Sequence, residues 1–117
     1  VMTLHVSGPF HSPMLNKAGE ELGRVLEEIE LSPLKIPYVT NVTAEYITDS
    51  FEIKGLLARQ VASPVRWQQS MERMLENGVD TFIEIGPGKT LTSFVKKICK
   101  DAVTVNIEKW EDMEKLA

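Results

Sequence analysis

The stretch from Val79 to Ile107 constrains the fold more strongly than any other part of the sequence. Val79–Ile85 is mostly apolar and short enough to be a buried strand, and a Gly-Pro-Gly sequence at 86–88 then turns the chain sharply. The following residues carry an apolar stripe at helical spacing, and a second strand candidate, Ala102–Ile107, comes after them. Strands that are separated by helices favour an α/β fold with a mostly parallel sheet.

The same alternation of strands and helices extends over the rest of the chain. Met2–Ser7 alternates apolar and polar side chains, which predicts a half-buried strand, and Tyr38–Asn41 is a second, shorter strand candidate. Serine, proline and glycine mark the ends of the predicted helices, which are Ser12 to about Glu30, Asp49 to Ser63, about Val65 to Asn77, and Trp110–Ala117. In the last of these we expect Trp110 and Met113 to pack onto the core.

The composition is that of an ordinary globular domain, with 43% hydrophobic and 26% charged residues among 117. The formal net charge of −4 disfavours nucleic acid as a partner, because a phosphate backbone requires a basic surface. No apolar run reaches the ~20 residues that a membrane-spanning helix needs. The single Cys99 and the two histidines do not make a zinc site, and a lone thiol suits a reducing compartment. We therefore expect no metal, no cofactor, no membrane partner and a cytoplasmic location.

His11 is the most informative single residue. It lies in a turn marked by glycine and proline, between the end of a predicted strand and the start of a predicted helix, where α/β folds often place reactive groups. A catalytic histidine and a histidine that merely caps the turn both fit this position. His5 lies on the polar side of the first predicted strand and is most simply a surface residue.

The Gly-Pro-Gly-Lys-Thr sequence at 86–90 invites comparison with a phosphate-binding loop. The comparison fails on spacing, because Ile83 stands where a Walker A motif requires its first glycine. A tight structural turn is the better interpretation. The chain also contains no G-x-S-x-G sequence, which an α/β hydrolase or acyltransferase uses to expose its nucleophilic serine.

Three motifs together resemble the signatures of one family. They are VSGPFHS at 6–12, QVASPVRW at 60–67 and FIEIGPGKTL at 82–91. In order and approximate spacing they resemble the bacterial malonyl-CoA:acyl carrier protein transacylases, from Leu4 to about Ile107. The resemblance implies the C-terminal part of that enzyme. Residues 1–7 would be the last strand of a ferredoxin-like small subdomain, and residues 8–117 the C-terminal part of an α/β-hydrolase-like large subdomain.

The resemblance also implies roles for individual residues. His11 would be the general base of a serine acyl-enzyme mechanism, oriented by the backbone carbonyl of Gln60, and Phe10 would crowd α-branched acyl groups and so favour malonyl. The substrates would be malonyl-CoA and acyl carrier protein, in fatty acid biosynthesis. The family's G-H-S-x-G serine motif and its carboxylate-binding arginine are not in this sequence, so we expect the chain alone to be an inactive fragment.

Lys96 and Lys97 lie on the helix that follows the Gly-Pro-Gly turn, with Lys89 at its start and Lys100 just beyond its end. Their cations suit the C-terminal end of a helix, and a solvated face is the plain interpretation. Acyl carrier protein is strongly acidic, however, so we expect Lys96 and Lys97 to contribute to its docking. Two alternatives stay open: an acyltransferase segment of a polyketide synthase, and a non-catalytic module that binds carrier protein. Exposed apolar surface on such a fragment also predicts self-association.

Overall fold

The computed structural model describes residues 8–117, so the predicted strand Met2–Ser7 lies outside the described residues. The described α-helices are α1 (Asn16–Glu27), α2 (Ile53–Gln60), α3 (Trp67–Glu76) and α4 (Thr90–Ile98), and the strands are β1 (Tyr38–Val39), β2 (Tyr46–Ile47), β3 (Thr81–Ile85) and β4 (Val103–Ile107). Short 3₁₀ helices cover Pro13–Leu15, Ser50–Glu52 and Trp110–Leu116. This order confirms the α/β class. The chain divides into two compact units, with the boundary after Ser70.

Helices α1 and α2 form the main packed pair of the first unit, and glycine makes their close approach possible. Gly19 is buried, and a Cβ atom built on it would lie 2.6 Å from the backbone oxygen of Ala58. Gly23, one turn further along α1, is less crowded, because its Cβ would lie 3.4 Å from the Ala58 Cβ. The helical spacing of apolar residues in the sequence predicts that Ala18 lies on the buried stripe of this helix, but Ala18 is exposed and the buried position belongs to Gly19.

A small antiparallel hairpin completes the first unit. Tyr38 pairs with Ile47 and Val39 with Tyr46, so the predicted strand at 38–41 exists but is shorter than expected. The loop between them is closed by Ala44 N–H, which donates to the Thr40 carbonyl at 2.9 Å, with Ala44 at φ 57°. The prediction missed β2, because two residues are too few to show an alternating pattern.

Helix α3 ends where the sequence predicted, at a glycine with positive φ. Gly78 has φ 86°, and its N–H donates to the Leu75 carbonyl at 3.0 Å. Val79 N–H donates to the Met74 carbonyl, also at 3.0 Å. These two bonds are those of a Schellman motif, in which a left-handed residue just past the helix satisfies its last carbonyls.

The second unit is built on a parallel strand pair, as the strand–helix–strand sequence predicted. β3 and β4 pair from Thr81 opposite Val103 to Ile85 opposite Ile107. Side chains alternate between the two faces of a strand, and Glu84 contacts Thr92 of α4, so Ile83 and Ile85 point to the other face. That face is open, with Ile83 47% and Ile85 81% exposed.

The C-terminal segment differs from the expectation. Trp110 and Met113 were predicted to pack onto the core, but Trp110 is 83% exposed and Met113 44%. Polar contacts stabilise the start of this 3₁₀ helix instead. The Asp112 carboxylate accepts the backbone N–H groups of Glu108 and Lys109 at 2.9 and 3.0 Å. Those backbone hydrogen bonds, with a smaller contribution from Lys115, lower the pKa of Asp112 to about 2.

Two glycine-to-alanine variants test the close approach of α1 and α2. Gly19→Ala should destabilise the chain by about 1–3 kcal/mol, because the added methyl meets a backbone oxygen and the helices must separate. Gly55→Ala is the matched control, because nothing lies within 4 Å of its Cβ position. It should stabilise by up to about 1 kcal/mol through helix propensity. Urea unfolding of both variants measures the difference, and equal stability would contradict the packing.

Candidate active site

The structure brings His11 and Gln60 together although they are 49 residues apart in sequence. The Nδ1 atom of His11 lies 3.0 Å from the backbone oxygen of Gln60. A carbonyl oxygen can only accept a hydrogen bond, so Nδ1 must carry a proton and donate it. In the neutral ring this leaves Nε2 without a proton and able to accept one. The contact implied by the family resemblance is therefore present, and it selects the tautomer that a general base needs.

The backbone at His11 adopts a conformation that non-glycine residues seldom take. Its φ of 58° lies in the left-handed region, at a cost of roughly 1–2 kcal/mol for an L-residue. Ser12, the next residue, is the N-cap of the 3₁₀ turn Pro13–Leu15, but its hydroxyl donates back to the Pro9 carbonyl at 2.6 Å. The sequence predicted Ser12 as an N-cap without indicating this bond. Strained backbone of this kind is common at functional sites.

Gln60 presents its carbonyl because it is the last residue of α2. The last four carbonyls of a helix have no partner within the helix and must find one elsewhere. The Arg59 oxygen accepts the Ser63 hydroxyl at 2.6 Å, and the Gln60 oxygen accepts the Ser63 N–H at 3.4 Å in addition to His11. The end of α2 is thus used as a hydrogen-bond acceptor for the imidazole, in the place where many enzymes have a carboxylate.

A cavity of about 310 Å³ adjoins this contact. Phe10 and His11 line it from the turn, and the other lining residues come from α1, α2 and the residue after α2: Leu22, Leu26, Leu57, Gln60 and Val61. In the part of the chain that the structure describes, the lining is mostly apolar and includes no lysine or arginine. Phe10 is 62% exposed, so its ring forms part of the rim rather than part of the core. The volume suits a small organic group.

In the second unit, the Gly-Pro-Gly turn is held by Glu84, a residue that the sequence analysis did not single out. One carboxylate oxygen accepts the Thr92 hydroxyl at 2.6 Å and the Thr92 N–H at 2.8 Å, and the other accepts the Leu91 N–H at 3.2 Å. Asn106 donates to the same carboxylate at 3.0 Å. The hydrogen bond from the Thr92 hydroxyl is the largest of the effects that lower the pKa of Glu84. The sequence did contain a signal for this role, because Glu84 is an acidic residue between the apolar residues Ile83 and Ile85.

The Glu84 contacts support the structural interpretation of the turn. Amides at the start of α4, which a phosphate-binding loop would offer to its ligand, already bond to the chain's own carboxylate. Gly86 has φ 135° and donates its N–H to the Ile107 carbonyl at 2.9 Å, while Gly88 has φ 85°. Both glycines take backbone angles that L side chains seldom adopt, which explains their use here.

Lys96 and Lys97 are both exposed but differ in their surroundings. The Lys96 ammonium donates to the Ala102 carbonyl, so it closes the connection between α4 and β4. The Lys97 ammonium lies 5.9 Å from the centroid of the Phe94 ring, within cation–π range. Of the two predicted docking residues, Lys96 thus donates to a backbone carbonyl, whereas no such bond is described for Lys97.

Residues 8–117 contain neither a metal-binding cluster nor a membrane-spanning helix. No group of three or more histidine, cysteine, aspartate or glutamate side chains is placed to hold a metal ion there. Within the same range, every helix is too short or too polar to cross a bilayer.

Comparison with known proteins gives consistent results. A malonyl CoA-acyl carrier protein transacylase of Bacillus subtilis is 40% identical over 111 residues, which are 95% of this chain and 35% of the relative. The crystal structure of the malonyl CoA-acyl carrier protein transacylase from Clostridium perfringens superposes with a TM-score of 0.90 at 43% identity, over 98% of this chain and 36% of that one. Over 95–98% of its length, this chain is similar to part of malonyl CoA-acyl carrier protein transacylases.

The resemblance recognised from three motifs is confirmed by these relatives. No protein-family model matches the chain. A further similar structure is a type II PKS acyl-carrier protein in complex with its malonyl-transacylase, at a TM-score of 0.89 and 33% identity, over 96% of this chain and 36% of that one. The chain spans just over a third of the length of the malonyl CoA-acyl carrier protein transacylases that it matches. The roles of His11, Gln60, Phe10, Lys96 and Lys97 stay predictions.

Replacement of Glu84 tests whether its carboxylate holds the second unit. The folded-state pKa is lowered from 4.5, so the stabilisation is fully present above that value and is lost as the pH falls through the folded-state pKa. Glu84→Gln should therefore be less stable than the unmodified chain at pH 7, and the difference should shrink below about pH 4. Urea unfolding across this pH range measures it.

The matched control is Glu76→Gln, which removes the same charge from an exposed position at the end of α3. It should leave the pH dependence of stability nearly unchanged. A stability difference for Glu84→Gln that stays constant with pH would contradict the role assigned to the carboxylate.

Proposed function

We propose that this chain supplies the histidine base of an acyltransferase that moves malonyl from coenzyme A to acyl carrier protein. The observation that carries the proposal is the contact between His11 Nδ1 and the Gln60 carbonyl, at 3.0 Å. The contact commits Nδ1 to donation and leaves Nε2 to exchange protons with a reacting group. Similarity over 95% of the chain to malonyl CoA-acyl carrier protein transacylases supports this reaction class.

The chemistry proceeds in two half-reactions through an acyl-enzyme. In the first, His11 takes the proton of a serine hydroxyl as the oxygen attacks the malonyl thioester, and returns a proton to the departing CoA thiolate. In the second, His11 takes the proton of the carrier-protein thiol as its sulfur attacks the serine ester, and returns a proton to the serine oxygen. One imidazole therefore serves as base and acid in both directions.

Two parts of this mechanism must come from outside the sequence. The chain has no G-x-S-x-G motif, so the nucleophilic serine belongs to another part of the polypeptide. Among residues 8–117, the lining of the cavity beside His11 is mostly apolar and includes no lysine or arginine, so the malonyl carboxylate needs a cation from elsewhere. Both requirements agree with a chain that spans about a third of its relatives. We accordingly expect the chain alone to be inactive.

Phe10 is proposed to influence which acyl group is accepted. It precedes the base directly and contributes to the rim of the cavity beside His11. A ring at this position restricts the space next to the reacting carbon, which disfavours acyl groups with an α-methyl branch. This supports malonyl as the preferred acyl group.

The proposed position within the full enzyme follows the resemblance. Residues 1–7 would end the ferredoxin-like small subdomain, and residues 8–117 would form the C-terminal part of the α/β-hydrolase-like large subdomain, in a cytoplasmic protein. Fatty acid biosynthesis is the favoured pathway. The similar structure that contains a type II PKS acyl-carrier protein keeps polyketide synthesis as the second candidate.

Replacement of His11 tests the base in the complete enzyme. His11→Asn is the sharper variant, because asparagine tolerates positive φ and keeps the turn, whereas His11→Ala also adds backbone strain. We expect kcat/KM for malonyl transfer to fall by about 10²–10⁴, as for loss of a general base. Transfer of radiolabelled malonyl to acyl carrier protein measures it, and undiminished turnover would contradict the proposal.

The alternative of a non-catalytic carrier-binding module predicts a different result. In that case His11→Asn would leave carrier-protein binding and any transfer unchanged, and the isolated chain would bind carrier protein by itself. Calorimetry with the isolated chain, beside the transfer assay of the complete enzyme, separates the two.

Charge reversal at Lys97 tests the docking surface. Lys97→Glu should raise the KM for acyl carrier protein about two- to five-fold, the range of one exposed ion pair, and should weaken its dependence on ionic strength. The charge-matched control is Lys35→Glu, in the exposed loop after α1, which should change neither quantity. Lys96→Glu is less informative, because it also breaks the bond to Ala102. Equal KM values for the two variants would exclude Lys97 from docking.

A further inference from the structure

We propose that Ser12 and Ser63 are positioning residues for His11, each fixing one side of the contact between His11 and Gln60. The inference rests on the proposed function for its catalytic consequence, but its structural part can be tested without activity. Neither serine lines the cavity beside His11. Each donates a short hydrogen bond from its hydroxyl to a backbone carbonyl next to, or near, one of the two partners.

Ser12 fixes the imidazole side. Its hydroxyl lies 2.6 Å from the Pro9 carbonyl, so the bond closes the turn that contains Phe10 and His11. Within this turn His11 has φ 58°, a conformation that the chain leaves unless something holds it. Loss of the Ser12 bond should allow the His11 backbone to relax toward negative φ. That rotation would carry the imidazole away from the Gln60 carbonyl.

Ser63 fixes the carbonyl side. Its hydroxyl lies 2.6 Å from the Arg59 carbonyl, and its N–H lies 3.4 Å from the Gln60 carbonyl. One residue thus binds two of the last carbonyls of α2, and it binds Gln60 on the oxygen that also accepts from His11. Pro64 follows and disfavours helical backbone angles at Ser63, so the helix cannot continue through this residue. The last turn of α2 is therefore held in the orientation that presents Gln60.

Both hydroxyl hydrogen bonds are exposed to solvent, which limits their contribution to the free energy of unfolding. An exposed hydrogen bond competes with water and contributes little to global stability. Local geometry is more sensitive, because a small rotation at either side breaks the bond to Nδ1. We therefore expect removal of either hydroxyl to change the imidazole tautomer while the chain stays folded.

The tautomer can be measured directly by long-range ¹H–¹⁵N NMR of the histidine ring. A His5→Gln background leaves His11 as the remaining histidine of the sequence. In this background the Nδ1–H form of His11 should predominate. Ser12→Ala and Ser63→Ala should each lower the Nδ1–H fraction, whereas Ser63→Thr, which keeps a hydroxyl, should preserve it. Backbone amide spectra confirm that each variant is folded.

Ser93→Ala is the matched control. The Ser93 hydroxyl makes the same kind of exposed bond, 2.7 Å to the Thr90 carbonyl, in α4 of the other unit. It should leave the His11 tautomer unchanged. A tautomer that is insensitive to Ser12→Ala and Ser63→Ala, or that responds equally to Ser93→Ala, would overturn the proposal. So would an Nε2–H form that already predominates with both serines present.

In the complete enzyme the same variants should lower kcat about five-fold with little change in KM, the effect of a weakened orienting bond. The two proposals fail separately. If His11→Asn leaves malonyl transfer intact, the proposed function is wrong while the tautomer result stands. If His11→Asn abolishes transfer but the serine variants keep both the tautomer and kcat, the positioning role is wrong and the base remains.

Discussion

The contact between α1 and α2 is the constraint on which the candidate site depends. His11 lies in the turn that precedes α1, and Gln60 is the last residue of α2. The distance between the imidazole and the carbonyl therefore depends on how closely the two helices pack. Gly19 permits that approach, because any larger side chain would meet the Ala58 carbonyl. A position without a side chain, in the first turn of α1, thus determines whether the imidazole reaches its acceptor. A substitution that separates α1 from α2 should therefore also weaken the contact between His11 and Gln60.

The second unit satisfies its own polar groups. Glu84 and Asp112 both accept backbone N–H groups at the start of a helical segment, and hydrogen bonding lowers the pKa of each. A carboxylate used in this way replaces an external anion and fixes the angle between strand and helix. The apolar side of β3 that faces away from α4 is left open, with Ile85 largely exposed. Parallel strands are normally covered on both faces, and self-association of the isolated chain stays a prediction for this reason.

Local sequence signals predicted the elements of the fold well, because glycine and proline act through the backbone of their own position. The end of α3, the Gly-Pro-Gly turn and the pairing of β3 with β4 all followed from such signals. The prediction failed where an outcome depends on distant residues or on very short segments. β2 has two residues and was missed, Gly19 rather than Ala18 faces α2, and Trp110 stays exposed.

Glu84 was missed because its partners lie on α4 and β4. His11 was a candidate from its turn alone, but its link to Gln60 came from the resemblance, since no pattern within one sequence joins residues 49 apart.

The group that contacts Nδ1 of His11 belongs to the main chain, and this has a consequence for how such a site changes over time. A carboxylate partner can be deleted by one codon change, whereas every amino acid placed at position 60 still brings a carbonyl oxygen. An alanine scan would therefore pass over Gln60 as dispensable, and drift at that codon would be tolerated as long as α2 ends at the same place. Only an amide-to-ester replacement at the following bond, which weakens the oxygen as an acceptor, or a shift in the end of the helix, would reach the interaction itself.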